Sequence, residues 1–534
     1  MSTDATTAES ASPLTSYDEF PYPSASFPQS HPSRLAAMAC LFGVEVTPPS
    51  KARILELGCA DGSNLLPMAE QLPGARLLGI DASRVQIASG QKALEAAGLK
   101  NVELRHQNIL DFPAAEGKFD YIVVHGIFSW VPEPVREKIM AICAEHLTAR
   151  GIAYISYNAL PGWNMRRSLR DMMLFHTQGL KEPLAKVQQA RALIKFLSDS
   201  VPTEKNSYGI LLKSELEMMG KVADNYLRHD YLEEENTPCY FHEFVGRAAR
   251  HGLQYMSETS LSQMLATNFP ETVAKTLTQL GQITAQEQYM DFLRNRMFRQ
   301  TLLCRANLAL NRNLTPERLK LCAYQALTIP QTAPLDLTAG VEVTLPTSGG
   351  QTITTADTFL KAVFQVLGES NARALGYDQL LAAARRLARP LLANPAANLE
   401  QIEETTLGAN LMNLYAKGFI EIHAEPVAIS LTVAERPQVS ALARYQAGNA
   451  RLVTNRMHAP LPADALGRAI IAACDGEHSV AQVVEAVMQE VKAGRLNVQE
   501  GDKPVQDDKR LRELLDPQTR GMLQLLARTG FFAP

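Results

Sequence analysis

The sequence predicts an α/β fold: a Rossmann-like, doubly wound parallel sheet with a helical insertion, followed by mostly helical and winged-helix-like C-terminal domains. Three observations predict it. A buried strand runs into a glycine turn and a helix at residues 53–64. Strands and amphipathic helices then alternate over about 110 residues. Near the end, two helical units of the same order follow one another.

Ile54 to Leu57 is an apolar run suited to a central parallel strand, and Gly58 and Gly62 let the backbone approach a ligand that a side chain would push away. The next strand, Leu77-Leu78-Gly79-Ile80, closes on Asp81. That acid stands about 20 residues beyond the glycines, where it can accept from both hydroxyls of a ribose. A dinucleotide fingerprint needs Gly-x-Gly-x-x-Gly to seat a pyrophosphate on a helix N-terminus. Here the spacing is Glu56-x-Gly58-x-x-x-Gly62, with acids at Glu56 and Asp61, which suits a cation without phosphate. S-adenosyl-L-methionine, carrying a sulfonium and an ammonium, is such a ligand, and a class I methyltransferase domain is the fold that binds it. Glu56, Gly58, Cys59, Ala60, Asp61, Gly62, Asn64, Asp81 and Ala82 are the expected cofactor contacts.

Arg84 to Ala97 reads as an amphipathic helix, and Val102-Glu103-Leu104 as a short strand. It ends in a loop whose Asn108 and Ile109 are expected at the adenine. Phe119 to Val124 is a fourth buried strand leading to His125, expected beside the cofactor; Pro134 to Leu147 is a helix and Gly151 to Asn158 a fifth strand. Residues 164–238 interrupt the alternation with amphipathic stretches at 166–178, 182–198 and 208–225, a helical insertion; Phe241 to His251 and Gly252 to Met256 restore helix, turn and strand. An insertion that leaves and returns at the ligand edge would bring Tyr231, Tyr240, His242 and Glu243 over the methyl donor.

Methyl transfer is an in-line displacement that needs donor and acceptor held close with water excluded. A lysine acceptor, with reference pKa near ~10.4, must also lose a proton. Tyr157 and Asn158 are placed to orient the acceptor, Trp130 and Trp163 to wall it, and His242 or Glu243 to take the proton. Each has a plainer reading beside it: a satisfied strand-end tyrosine, turn chemistry around Pro161-Gly162, aromatic packing, and an acid complementing a helix dipole.

Tyr17, Pro21-Tyr22-Pro23-Ser24, His31-Pro32, Glu56-Leu57-Gly58-Cys59-Ala60, Asn64-Leu65-Leu66-Pro67-Met68-Ala69, Gly79-Ile80-Asp81, His125 to Pro132, Ser156-Tyr157-Asn158-x-x-Pro161-Gly162-Trp163, Tyr240 to Phe244 and Tyr289-x-Asp291-Phe292-x-Arg294-Asn295-Arg296 together resemble the bacterial methyltransferases that carry a methyltransferase regulatory domain. Some of that family are protein lysine methyltransferases that modify outer-membrane proteins. The resemblance covers about residues 16–305 and is weaker beyond. It implies a protein lysine acceptor, and Tyr17, Tyr22, Trp130, Trp163 and Tyr240 are the expected substrate-side residues. Two departures stand out: Ser63 where relatives often have a second glycine, and Asn108 where many methyltransferases place an aspartate for the adenine amino group.

With 534 residues, 46% hydrophobic and 20% charged, the chain can bury several cores. A net charge of −4 advertises no polyanion partner. The seven cysteines form no C-x-x-C pair and no zinc spacing, so reduced thiols, a cytoplasmic location and no metal are expected. No apolar run is long enough to span a membrane, and residues 1–15 read as a disordered tail rather than a signal peptide.

The expected domains are a methyltransferase unit at 16–260, a helical regulatory middle domain at 261–350, and winged-helix-like units at 351–428 and 429–534. In the middle domain, Arg294, Arg296 and Arg299 read as the basic face of an amphipathic helix, and Leu335 to Leu345 as a strand. The third helix of the first winged unit, Leu399 to Lys417, carries three glutamates and one lysine, which points to protein contact or a homodimer rather than DNA. Nucleic-acid amine methylation is disfavoured as well, because His125-Gly126-Ile127-Phe128 occupies the place of an Asn/Asp-Pro-Pro-Tyr/Phe motif. The reading is an S-adenosylmethionine-dependent methyltransferase acting on protein lysine. The alternatives are a cofactor-binding regulatory protein and a small-molecule N- or O-methyltransferase.

Overall fold

The computed structural model describes residues 24–327, 334–346, 352–370, 372–392, 398–500, 503–505 and 507–534. The expected tail, Tyr17 and Tyr22 lie outside them. A seven-stranded sheet organises residues 53–305: β1 (Arg53–Leu57), β2 (Arg76–Asp81), β3 (Val102–His106), β4 (Phe119–Val124), β5 (Leu147–Asn158), β6 (Leu253–Glu258) and β7 (Phe298–Arg305). Its order is β3-β2-β1-β4-β5-β7-β6. β1 to β5 run parallel, and β7 is antiparallel to both of its neighbours.

Successive residues of a strand face opposite sides, so the apolar runs serve two cores. Ile54, Val123, Ile152 and Tyr154 pack under α1 (Pro32–Leu41), α2 (Leu65–Gln71) and α3 (Arg84–Ala97). Leu55, Leu57, Ile122 and Ile155 pack under α4 (Glu133–His146) and α9 (Phe241–Arg250). The insertion is four helices, α5 (Trp163–Thr177), α6 (Pro183–Ser200), α7 (Ser207–Met219) and α8 (Asp224–Leu232), with a core of their own that includes Leu169, Met173, Ile194 and Leu212.

The arginine-rich run corrects the sequence reading. After α10 (Glu271–Gln279), α11 (Ile283–Arg294) ends at Asn295 in the left-handed region, φ 47°, and the chain then becomes β7. Arg296 and Arg299 are buried rather than displayed on a helix face. Arg299 bonds Asp291 Oδ2 at 2.8 Å, Glu258 Oε1 at 2.6 Å and Glu287 Oε2 at 3.0 Å, and Arg296 Nε lies 3.1 Å from Asp291. Buried guanidiniums are tolerable only with such partners, and the partners come from α11 and β6. The sheet is therefore completed by residues 298–305, past the boundary expected at 260.

Beyond the sheet come α12 (Pro316–Leu319), β8 (Ala323–Ala326), β9 (Val343–Pro346) and β10 (Thr352–Thr355). They are followed by α13 (Thr358–Ser370), β11 (Leu375–Gly376), α14 (Tyr377–Ala388), α15 (Leu399–Ala416) and β12 (Ile420–His423). The strand expected over 335–345 is confined to Val343–Pro346. β8 pairs with both β11 and β12, so the first winged unit draws a strand from before residue 351. On its third helix, Glu403 is paired with Arg385 at 2.7 Å and Arg389 at 2.9 Å. The last unit holds α16 (Ala441–Asn449), β13 (Leu452–Thr454), β14 (Pro460–Pro462), α17 (Ala465–Ala473), α18 (Val480–Lys492) and α19 (Asp508–Arg528). Its core is Ile470, Val483, Val487, Leu523 and their neighbours.

Three buried histidines gather where α1 meets the C-terminal units: His31 at the N-cap of α1, His423 on β12, and His458 between β13 and β14. Burial first, then the charge of Arg34, pulls His31 down to about 4 and His423 down to about 3; burial, His31 and Arg34 hold His458 well below its ordinary value. All three are neutral at pH 7. Since the unfolded histidines titrate near ~6.5, their contribution is complete above that pH and is lost as pH falls towards 4 and 3, where the unfolded chain takes up protons first. Thermal melts at stepped pH should show Tm falling through this window, and His31→Gln should reduce the slope.

Candidate functional site

The carboxyl ends of β1, β2 and β4 converge on the glycine turn. Gly58, Ala60 and Gly62 all have positive φ, at 71°, 51° and 76°, which folds the backbone into a tight loop. Gly58 N and Cys59 N donate to Ile80 O at 2.8 and 3.0 Å, tying the turn to β2. Asp81 is anchored by Ala60 N on Oδ2 at 2.9 Å and by Ser83 N on Oδ1 at 2.8 Å. A carboxylate offers about four acceptor positions, so a group held this way can also serve a ribose. A Cβ on Gly58 would come within 2.4 Å of Ile127 Cδ1, which would have to shift, and at φ 71° any side chain would strain the backbone. On α3, a Cβ at Gly90 would meet the backbone oxygen of Asp61 at 2.4 Å, so there the close approach itself requires glycine.

Glu56 lies buried at the base of the turn. Oε1 accepts from Asn64 Nδ2 at 2.7 Å and Oε2 has no partner, while burial raises its carboxyl to about 8. His125, at the end of β4, lies 3.7 Å from the Phe27 ring, with Nδ1 2.7 Å from Tyr154 Oη; burial pulls it down to about 3, so it is a neutral imidazole. Glycine cradle, strand-end acid and orphaned buried carboxylate oxygen fit a nucleoside bearing a cationic amino-acid tail. Among the described residues, no group of three or more His, Cys, Asp or Glu is arranged to hold a metal.

Comparison with known proteins accords with this geometry. A methyltransferase domain profile matches residues 54–151, a predicted methyltransferase regulatory domain matches 223–305, and the PKMT C-terminal winged helix domain matches 435–531. An uncharacterised protein of Rickettsia prowazekii, RP789, is 36% identical over 516 residues, spanning 95% of this chain and 92% of that protein. The structure of PKMT2 from Rickettsia typhi superposes with a TM-score of 0.85 at 32% identity, over 96% of this chain and all of that one. The same protein in complex with AdoHcy gives 0.86. This chain belongs to the PKMT methyltransferase family. It is an S-adenosylmethionine-dependent methyltransferase, and S-adenosylmethionine is its methyl donor. In this chain the regulatory-domain match spans α9, β6, α11 and β7, so that segment completes the sheet rather than hanging from it.

The structure brings Glu56, Gly58, Cys59, Ala60, Asp61, Gly62, Asp81 and Ala82 together at one edge, with His125 facing them across β1 and β4. Other expected site residues have protein partners of their own. Asn64 is buried, and its side chain ties Glu56 to Phe27 N and His458 Nε2, both at 2.8 Å from Oδ1. Asn108 caps the turn that follows it, accepting from Leu110 N at 2.9 Å, and Ile109 belongs to the core under α4. Tyr157 is 1% exposed, stacked on Phe244 with ring centroids 4.0 Å apart, because the strand's period turns it to the α9 face. It cannot orient an acceptor. Asn158 is buried, with its amide bound to Ser129 Oγ at 2.9 Å and its Nδ2 without a partner.

Tyr231 lies in the insertion's core, bonded to Glu215. Glu243 accepts from Tyr240 N at 2.9 Å, capping α9, and His242 Nδ1 lies 2.9 Å from Gln288 Oε1. These two follow the plainer reading of a helix start, and neither points to a proton acceptor. Trp130 and Trp163 meet edge to face at 6.1 Å, with Arg170 over the first and Arg166 over the second, joining the insertion to the loop after β4. Tyr240 lies edge-on to Phe292 at 6.2 Å.

Sequence reasoning missed Phe27, His458 and Ser156. Ser156 Oγ accepts from Gly126 N at 2.8 Å and so shapes the turn after β4. Its polarity inside an apolar strand was the available signal. Phe27 and His458 carried none, since their roles depend on contacts with distant segments.

Gly58→Ala should lower S-adenosylmethionine affinity at least about tenfold, about 1.4 kcal/mol, in calorimetry, with the fold retained by circular dichroism. Tyr157→Phe should change stability by no more than about 1 kcal/mol and leave turnover unchanged, whereas Tyr157→Ala should cost about 3–5 kcal/mol in denaturant unfolding.

Proposed function

We propose that this methyltransferase transfers the methyl group to the side-chain amine of lysine in a protein substrate. The supporting observation is the full-length likeness to PKMT2, which at 32% identity spans the sheet, the insertion and the winged units alike. A small-molecule enzyme has no evident use for the more than 200 residues that follow the sheet.

The bound cofactor supplies an electrophilic methyl group on a sulfonium. The chain's own residues do the rest. In this reading the side-chain-free backbone of the 58–62 loop and the Asp81 carboxylate hold the nucleoside, and Glu56 faces the ammonium of its amino-acid tail. Neutral His125 and the rings of Phe27 and Phe298 form an apolar wall beside the transfer position; Phe298 lies edge-on to His125 at 6.3 Å. Such a wall favours an uncharged amine over an ammonium by limiting its hydration. Among the described residues, no helix is long and apolar enough to cross a membrane.

Incubation with labelled S-adenosylmethionine and a cell-envelope extract, followed by mass spectrometry of the labelled material, should place the label on lysine. Label confined to the small-molecule fraction would overturn the lysine assignment, and an absence of label would favour the regulatory alternative.

A further inference from the structure

A buried polar cluster lies behind the glycine turn, and its members come from three distant segments: Phe27 and Ser30 before α1, Glu56 and Asn64 on either side of the turn, and His458 in the last winged unit. Glu56, Asn64 and His458 are at most 3% exposed, so each polar atom must find its partner within the protein. Asn64 Oδ1 accepts from Phe27 N and from His458 Nε2, both at 2.8 Å. Ser30 Oγ donates to Phe27 O at 2.8 Å, which spends its one hydrogen and leaves it an acceptor for Asn64 Nδ2 at 3.1 Å. These contacts fix which end of the amide is oxygen. Nδ2 is thereby turned to Glu56 Oε1, at 2.7 Å, and the neutral His458 carries its proton on Nε2, with Nδ1 left without a partner.

The direction of that amide matters to Glu56. An N–H aimed at a carboxyl favours its ionised form, whereas an amide oxygen in the same place would require the carboxyl to keep its proton. Burial raises the Glu56 carboxyl to about 8, Asn64 opposes the rise, and the charges of Asp81 and Asp61 add to it. Glu56 Oε2 has no partner in the protein. His458 is presented to Asn64 by a turn built for the purpose: Asn455 Oδ1 accepts from Met457 N at 3.0 Å and Ala459 N at 2.8 Å, Asn455 Nδ2 donates to Thr529 O at 2.6 Å, and His458 itself has φ 60°. Just before this turn, Thr454 Oγ1 lies 3.2 Å from Ser26 Oγ, so the β13–β14 hairpin also holds the segment that carries Phe27 to the His125 ring. α16 of the same unit packs on α3.

We propose that His458 is a positioning residue of the donor site: through Asn64 it holds Glu56 ready for the ammonium of S-adenosylmethionine, so that the last winged unit takes part in recognising the donor's amino-acid tail. The proposal rests on the reading above that Glu56 faces that ammonium, and it extends the donor site to a residue 394 positions away in the chain. The nucleoside, held by the glycine turn and Asp81, lies outside this relay. Linkage makes the effect reciprocal: a tail seated at Glu56 also tightens the hold of the sheet on the β13–β14 hairpin.

5′-Methylthioadenosine shares the nucleoside and the sulfur of S-adenosylhomocysteine but lacks the amino-acid tail, so the pair of ligands isolates the relay. In calorimetry on the full chain, His458→Leu should lower the affinity for S-adenosylhomocysteine about fivefold or more, as the loss of one hydrogen bond implies, and leave the affinity for methylthioadenosine unchanged. His458→Gln, which offers Asn64 an amide N–H from the same left-handed position, should restore most of the difference. Damage that is merely structural would lower both affinities alike, and that result would overturn the proposal. Glu56→Gln separates the proposal from the reading beneath it. If the ratio of the two affinities is unchanged in Glu56→Gln, the ammonium reading falls and the proposal with it; a ratio lowered by Glu56→Gln but untouched by His458→Leu would overturn the part of His458 alone. Should His458→Leu not fold, hydrogen exchange on the unaltered protein decides: S-adenosylhomocysteine should slow exchange across residues 452–462 and methylthioadenosine should not. Equal effects of the two ligands, or none from either, would overturn the relay.

Discussion

The side chain of Asn64 is the point on which the three parts of this molecule depend. One amide accepts from Phe27 N and His458 Nε2 and donates to Glu56, thereby joining the amino-terminal segment, the first strand and the last winged unit across nearly 400 residues of sequence. It sits on the residue that leads into α2, directly after the glycine turn. Left without these partners, an amide and a carboxylate buried in this place would each carry an uncompensated desolvation cost. The glycine turn is consequently braced by a domain that lies outside the seven-stranded sheet.

That bracing accounts for the placement of the C-terminal units. Ser33 exchanges hydrogen bonds with Glu425, Arg34 pairs with Glu421 at 2.6 Å, and Ser50 bonds the Glu425 carboxylate. These contacts seat the first winged unit on α1 and the approach to β1. The acids on its third helix are neutralised by Arg385 and Arg389 of the same unit, so its charge is spent internally. Winged-helix architecture here serves packing against a catalytic sheet, and nothing in its charge invites a phosphate backbone.

Where the sequence could be read, the signal was local. The strand, glycine turn and Asp81 lie within 30 residues of one another, and each residue type has a single strong physical reason for its place. The helices of the insertion and both winged units were likewise legible from periodicity. Failures came where partners are distant. Arg296 and Arg299 look like surface charge until Glu258, Glu287 and Asp291 are brought to them, and only then can Phe298 to Arg305 be a central strand. Tyr157 and Asn158 were both read as facing the acceptor, yet strand alternation sends them to opposite faces. Asn64 was read as a cofactor contact because it follows the glycine turn; its partners at Phe27 and His458 were beyond the reach of any local pattern.

The strand order β5-β7-β6 has a temporal side. β7 is the last strand to be made and is inserted between two that precede it in the chain, so the edges of β5 and β6 wait unpaired until residue 305 has been synthesised. Unpaired strand edges invite pairing with other chains. For a protein emerging slowly from the ribosome, that interval includes the whole insertion, and the four helices with their separate core are the part able to fold in the meantime. The sheet thus closes only after the insertion has been made, with the segment that also brings the buried arginines to their acids.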